Sequence, residues 1–212
     1  MISIKKFTFN VFQENTYVLF DETKEAIIID PGCQDSNEQN DLLHFIQNNN
    51  LKVKQLINTH CHIDHVLGND FVVNTFKIPL TLHKEELFTY NDTKRWTVMF
   101  NLPDLIVPEN LIFIDENSVI EFGNSKISCL LTPGHSIASL SFYNIEQNFV
   151  VSGDVIFNLG IGRTDLPGGN FTILLNSIKD KILKLPENTT IYSGHGEETT
   201  VGFEKYNNPY LT

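Results

Sequence analysis

Long apolar runs are missing from this 212-residue chain. No stretch approaches the roughly 20 apolar residues that a membrane-crossing helix needs, so a membrane partner is not expected. The opening MISIKKFTFNVF alternates polar and apolar residues. It has neither an uninterrupted apolar core nor a cleavage site, which argues against a signal peptide. Cysteine is scarce. Cys33, Cys61 and Cys129 cannot all pair and form no C-x-x-C, so a disulfide framework is not expected. Surplus positive charge is lacking too. A net charge of −11 argues against a nucleic-acid partner, which calls for a basic footprint. No linker, low-complexity run or internal repeat is evident. The default compartment is the cytoplasm. What the chain does have is 41% hydrophobic residues, including 16 phenylalanines, and enough length to bury roughly 70% of its unfolded surface.

Patterning predicts strands over residues 2–9, 15–20, 26–30 and 53–58, with a helix over 36–50 between the last two. A short helix is expected over 66–76, another over 84–90, and a longer one over 171–185, stopped by Pro186. Residues 112–114, 119–122, 126–131, 140–143, 149–152 and 190–192 read as the strands of a second sheet. The tail, 198–212, has room for one short helix. Strands with flanking helices in both halves suggest two mixed β-sheets face to face with helices outside. The expected fold is therefore mixed α/β, a four-layer αββα sandwich forming one domain over 1–212, with halves of roughly 1–115 and 116–212. Residues 94–108, with Trp96, Met99, Phe100 and Leu102, read as core or as an apolar wall.

One stretch carries chemistry. Thr59-His60-Cys61-His62-Ile63-Asp64-His65 packs four metal-capable side chains into six residues just after a strand. A loop at a strand end is where a rigid sheet can hold ligands. In an extended segment His60 and His62 share a side. Asp64 and His65 cannot share that direction and suit a second ion nearby. Imidazole and carboxylate together admit zinc, iron or manganese. The remaining candidates also follow strands beside glycine: His135 in Pro133-Gly134-His135, Asp154 after Gly153, and His195 between Gly194 and Gly196. Asp30, at a strand end before Pro31-Gly32, is expected to orient the neighbouring loop by hydrogen bonds. His83 is expected to cap a helix or lie on the surface, and His44 to be an ordinary polar residue of its helix.

The T-H-C-H-I-D-H heptad resembles the signature of the metallo-β-lactamase fold superfamily. Asn15-Thr16-Tyr17, Asp30-Pro31-Gly32, P-G-H-S, S-G-D, G-H-G and Asn208-Pro209 follow in that superfamily's order. The pattern is most similar to the glyoxalase II-like branch, the hydroxyacylglutathione hydrolases, in a compact form without the C-terminal glutathione-binding domain. That resemblance implies two divalent ions, zinc first, with iron or manganese as alternatives. It places the metal site at one sheet edge. His60, His62 and His135 would hold the first ion, Asp64, His65 and His195 the second, and Asp154 would bridge. It also implies hydrolysis of a small-molecule acyl-thiol such as S-lactoyl-glutathione by a metal-bridging hydroxide, with Asp64 both ligand and orienter of that hydroxide. The Gly160–Gly169 loop, G-I-G-R-T-D-L-P-G-G, resembles the same branch and persulfide dioxygenases. In it Arg163 either holds a substrate carboxylate or pairs with Asp165 to shape the loop. Gly68-Asn69 departs from the Gly-Gly often found after the heptad. The rival readings are a persulfide dioxygenase with one iron on His60, His135 and Asp154, and a lactonase or other ester hydrolase on two ions.

Overall fold

The computed structural model describes residues 1–100, 102 and 104–211. The first sheet contains β1 (Ser3–Phe9), β2 (Glu14–Phe20), β3 (Glu25–Ile29), β4 (Lys52–Ile57), β5 (Leu80–His83) and β6 (Leu111–Ile114), hydrogen-bonded in that order. β1, β2 and β3 pair antiparallel; β3 to β6 pair parallel. Parallel neighbours need crossovers. These are α1 (Ser36–Asn48), then α2 (Ile63–Val66) with α3 (Asn69–Phe76), then α4 (Glu86–Phe100). The second sheet contains β7 (Val119–Phe122), β8 (Ser125–Leu131), β9 (Leu140–Asn144) and β10 (Phe149–Gly153). A small hairpin, β11 (Ile156–Phe157) and β12 (Gly160–Ile161), and the helix α5 (Phe171–Ser177) lead to β13 (Thr190–Ser193), β14 (Thr199–Thr200) and α6 (Val201–Asn207). Its order is β14-β13-β10-β9-β8-β7, with β10 and β13 parallel.

Both sheets are thus mixed, with helices outside, as the sequence predicts; residues 112–114, read as part of the second sheet, instead complete the first as β6, paired in parallel with β5. The layers follow from alternation along β3, whose Ala26 to Ile29 run is fully buried. Ile27 and Ile29 point between the sheets, where they meet Phe122, Ile127 and Phe142. Ala26 and Ile28 face outward onto Leu42, Ile46 and Val72. A strand buried on both faces reads as a continuous apolar run. Each such isoleucine contributes about 1.5–3 kcal/mol by burial. A third core joins Val150 and Ile191 of the second sheet to Leu174, Ile178 and Ile182.

Several boundaries differ from expectation. The helix expected to reach residue 50 stops at Asn48, and Asn50 turns left-handed with φ 54°. The helix expected over 66–76 is two, broken at Leu67-Gly68. There Gly68 donates its N–H to the Pro31 carbonyl at 2.7 Å, and a Cβ would collide with that carbonyl and with Cys33. The helix expected over 171–185 is α-helical only to Ser177 and continues as a π-helical turn, Ile178–Ile182. Its buried stripe is Leu174, Ile178 and Ile182, while Ile173 is exposed. The tail holds β14 before α6. Residues 94–100 extend α4, whereas Asn101 and Pro103 of the same segment lie outside the described residues. The three cysteines are free and buried. Among the described residues no helix is long and apolar enough to cross a membrane.

Candidate metal centre

All seven residues singled out as metal-capable converge where the two sheets meet at their strand ends. His60 and His62 lie in the loop after β4; Asp64 and His65 are on the single turn α2. His135 follows β8, Asp154 follows β10 and His195 follows β13. Ligand-type atoms of His60, His62 and His135 lie within 4.8 Å of one another, and so do those of Asp64, His65 and His195. Within the first triad His135 Nε2 is 2.8 Å from His62 Nδ1 and 3.2 Å from His60 Nε2. Within the second, Asp64 Oδ2 is 3.0 Å from His195 Nε2 and 3.7 Å from His65 Nε2. The Asp154 carboxylate stands between the triads. Its Oδ1 is 3.4 Å from His65 Nε2, and its Oδ2 is 3.5 Å from both His135 Nε2 and His195 Nε2.

Partners behind the rings decide which nitrogen faces inward. A carbonyl or carboxylate can only accept, so the facing ring nitrogen must carry the hydrogen. His135 Nδ1 donates to the Arg163 carbonyl at 2.8 Å, and His195 Nδ1 to the Phe12 and Gln13 carbonyls at 3.1 Å. His65 Nδ1 donates to Asp30 Oδ2 at 3.1 Å. Thr59 Oγ1 donates to the same oxygen at 2.5 Å, which leaves the hydroxyl to accept from His60 Nδ1 at 3.0 Å. These four histidines therefore present Nε2 to the centre. Asp30 acts from behind, as its position at a strand end suggests, and this explains why it also forms a close group with His60 and His65. It is buried at φ 50°, a left-handed conformation that aspartate tolerates better than most residues.

Electrostatics match this arrangement. Burial drives the His62 pKa down to about 3, and burial with three neighbouring imidazoles drives His60 well below the usual histidine range. In the second triad burial opposes protonation, but the Asp64 and Asp154 carboxylates outweigh it and raise His65 well above its ordinary value. Hydrogen bonds to Asp154 and Asp64 likewise overcome burial to raise His195 to about 10. The carboxylates respond in kind. Burial would raise Asp154 and Asp64, yet the charge of His65 and the hydrogen bonds from His195 hold both below the usual range. The buried His62 Nε2, His65 Nε2 and Asp154 Oδ1 have no hydrogen-bond partner. Buried imidazole and carboxylate atoms gathered this densely, some of them left without a partner, fit divalent cations.

Two glycines make room for Asp154. A Cβ on Gly194 would strike its Oδ1 and the His65 ring; one on Gly162 would strike its carbonyl and His135. The Asn15-Thr16-Tyr17 motif is a clamp across the sheets. Asn15 Nδ2 and the Tyr17 hydroxyl both donate to the Ser193 carbonyl, at 3.1 and 2.6 Å, while Thr16 accepts from Gly32 N–H at 2.9 Å. Asn69 of the Gly68-Asn69 pair is buried and donates to Asn58 Oδ1 at 2.8 Å and to the Tyr90 hydroxyl at 3.0 Å. Asn58 in turn donates to the His65 carbonyl at 3.1 Å. Arg163 lines the cleft above the triads but is paired: its Nε and Nη2 each donate to Asp165 at 2.7 Å. That bond lowers Asp165 to about 2. His83, the last residue of β5, accepts from Glu85 N–H at 3.3 Å in the turn before α4.

Glu86 gave no signal in the sequence. It is buried, and its carboxylate accepts from Cys61 N–H at 2.9 Å, Ser136 Oγ at 2.6 Å and Ala138 N–H at 2.9 Å. One side chain thus ties the His60–His62 loop to the His135 loop.

The profile of the metallo-beta-lactamase superfamily matches residues 9–195. The chain belongs to this superfamily. It is similar to the hydroxyacylglutathione hydrolase GloC of Haemophilus influenzae, 34% identical over 94% of this chain and 93% of the relative. It is also similar to two solved structures of the same fold. The BLEG-1 B3 metallo-beta-lactamase is 36% identical with a TM-score of 0.85, covering 99% of this chain and 100% of that one. TTHA1623, solved in a di-iron-bound form, is 32% identical with a TM-score of 0.86, covering 98% and 100%. A metallo-beta-lactamase fold at this identity agrees with the donor set assembled above.

Proposed function

We propose that this member of the metallo-beta-lactamase superfamily is a metal-dependent hydrolase of small acyl-thiols. The observation that carries the reading is the Asp154 carboxylate, set 3.4–3.5 Å from inward nitrogens of both triads. That is the placement a shared ligand needs. His60, His62 and His135 would hold one ion and Asp64, His65 and His195 the other. Two divalent ions there supply a water made acidic enough to attack near neutral pH and a Lewis acid for the scissile carbonyl. The chain's own residues do the rest. Asp64, held by His195 at 3.0 Å, orients the attacking water. The backbone carbonyls behind His135 and His195 fix both rings. A thioester suits such a site because its thiolate leaves without a proton donor. Similarity to GloC supports this substrate class, and similarity to TTHA1623 supports iron beside zinc or manganese as the occupant. A second reading, β-lactam hydrolysis on the same residues, is favoured by similarity to BLEG-1.

The test is elemental analysis of the purified protein alongside S-lactoyl-glutathione and penicillin hydrolysis in the same preparation. Near two ions per chain with thioester turnover is the expected result, and His60→Ala should lose it. Full activity in that variant would overturn the reading. About one iron, no thioester turnover and oxygen uptake with glutathione persulfide would move the assignment to a dioxygenase.

A further inference from the structure

The cleft over the two triads has a volume of about 690 Å³. Its floor is polar; its walls are not. Trp96 and Phe100 of α4 stack with centroids 6.0 Å apart, and Phe12, from the β1–β2 turn, meets Phe100 edge-on at 5.2 Å. Phe157 and Leu166 also line the cleft. Phe100 is 45% exposed, an aromatic ring left partly open to water at the cleft's rim.

Positive charge is the decisive deficit. A glutathione thioester brings two carboxylates and calls for fixed cations beyond the floor. The chain has two arginines, Arg95 and Arg163. Arg163 lines the cleft but is held by both oxygens of Asp165, which is as exposed as it is. Arg95 stacks against Trp96 at 5.1 Å and is held by Asp92 at 2.8 Å. No lysine is among the described residues lining the cleft. A glutathionyl carboxylate would have to compete with Asp165 for the only arginine within the cleft. Against aromatic walls an uncharged chain gives up no ionic hydration and buries apolar area.

The geometry points to a thioester with a medium-length apolar acyl chain, carried on a thiol without carboxylates, as the substrate class. This rests on the hydrolase reading above. The carbonyl lies at the floor beside Asp154 and His135, and the acyl chain runs along Phe12, Trp96 and Phe100.

Trp96 is the only tryptophan and lies in the cleft wall, so binding reports itself without catalysis. Uncleavable S-alkyl-N-acetylcysteamines, from butyl to octyl, are titrated into metal-loaded protein while Trp96 fluorescence is followed. Full burial of a methylene strengthens binding about fourfold, and half burial roughly twofold, so four added methylenes should tighten binding about 16-fold or more. Phe100→Ala, at an exposed helix end, should flatten that slope and leave the butyl compound within about twofold. S-hexyl-glutathione should bind no tighter than S-hexyl-N-acetylcysteamine, and Asp165→Ala, by freeing Arg163, should improve the glutathione compound alone. A flat slope, or a glutathione compound bound tenfold tighter by the native protein, overturns the proposal. Octanoyl-N-acetylcysteamine turnover, run beside S-lactoyl-glutathione, separates the two claims. Steep binding with cleavage of the octanoyl thioester supports both. Cleavage of lactoyl-glutathione with flat alkyl binding overturns the apolar substrate and keeps the hydrolase. Steep binding with neither thioester cleaved overturns the hydrolase reading, and with it the assignment of the bound chain as substrate.

Discussion

Asp30 touches neither the cleft nor any candidate ligand's inward atom, yet it sets two of the rings. It accepts from His65 directly and from His60 through Thr59, one ring in each triad, and anchors Thr59 N–H at 2.7 Å. Partners of this kind tune ion affinity by 10–100-fold. Asp30→Ala should therefore weaken binding of both ions by about that factor while leaving all seven candidate ligands in place. Competition against a chromophoric chelator measures it, and unchanged affinity would mean that packing alone orients the rings. Gly194→Ala makes a sharper case, since its methyl group would occupy the space of Asp154 Oδ1 and the His65 ring. It should lose at least one ion per chain by elemental analysis, and retention of two would place the backbone differently. Asp30 was legible in the sequence because it stands at a strand end before Pro-Gly. Thr59 as the relay was not, since a threonine next to a histidine is ordinary in any loop.

Helix α4 shows where sequence reading fails at the level of elements. Its buried face is Glu86, Thr89, Tyr90, Thr93 and Thr97, at helical spacing but largely polar, so hydropathy gives no stripe to follow. The apolar side chains that do stand out, Val98, Met99 and Phe100, are exposed. The sheets were legible for the opposite reason. β3 is apolar along its buried run, and each candidate ligand outside the His60–His65 cluster follows a strand beside glycine or Pro-Gly. The polar face of α4 is a clamp on the Cys61 backbone. Glu86 accepts its N–H, and Thr93 donates to its carbonyl at 2.9 Å, fixing the residue between His60 and His62. Burial raises the Glu86 pKa, but three donors compensate the carboxylate. Glu86→Ala strands those donors at about 1–3 kcal/mol each. Urea denaturation should show a loss of several kcal/mol, with Glu86→Gln, which keeps one acceptor oxygen, falling between. Equal stability of Glu86→Ala and the native protein would show that water replaces the carboxylate and that α4 does not hold the loops.

The whole molecule is two sheets that must keep their relative position, because each triad draws on both or is flanked by both. His60 and His62 come from the first sheet and His135 from the second; Asp64 and His65 from the first and His195 from the second. Apolar packing between the sheets supplies attraction without direction, so polar pins fix the register. At the cleft end the pin is the Asn15–Tyr17 clamp on Ser193. At the other end it is Asp21, buried after β2, which accepts from Asn124 N–H at 2.7 Å and Ser125 Oγ at 2.9 Å in the β7–β8 turn and from Thr23 N–H at 2.9 Å in its own. Burial would raise its pKa, and these bonds outweigh burial to hold it below the ordinary carboxylate value. The sign follows. A carboxylate with a depressed folded pKa contributes stability that is fully present above its unfolded pKa of about 3.9 and is lost as pH falls through the folded value. In chelator-treated protein, where ligand ions do not enter, Asp21→Asn should cost about 1–3 kcal/mol at pH 7. The gap between the two proteins should narrow in denaturation curves taken below about pH 4. A constant gap across that range would mean that Asp21 acts through shape and not charge. A gap that closes would show that the register of the sheets, and so the meeting of the triads, rests partly on one ionised side chain at the far end from the cleft.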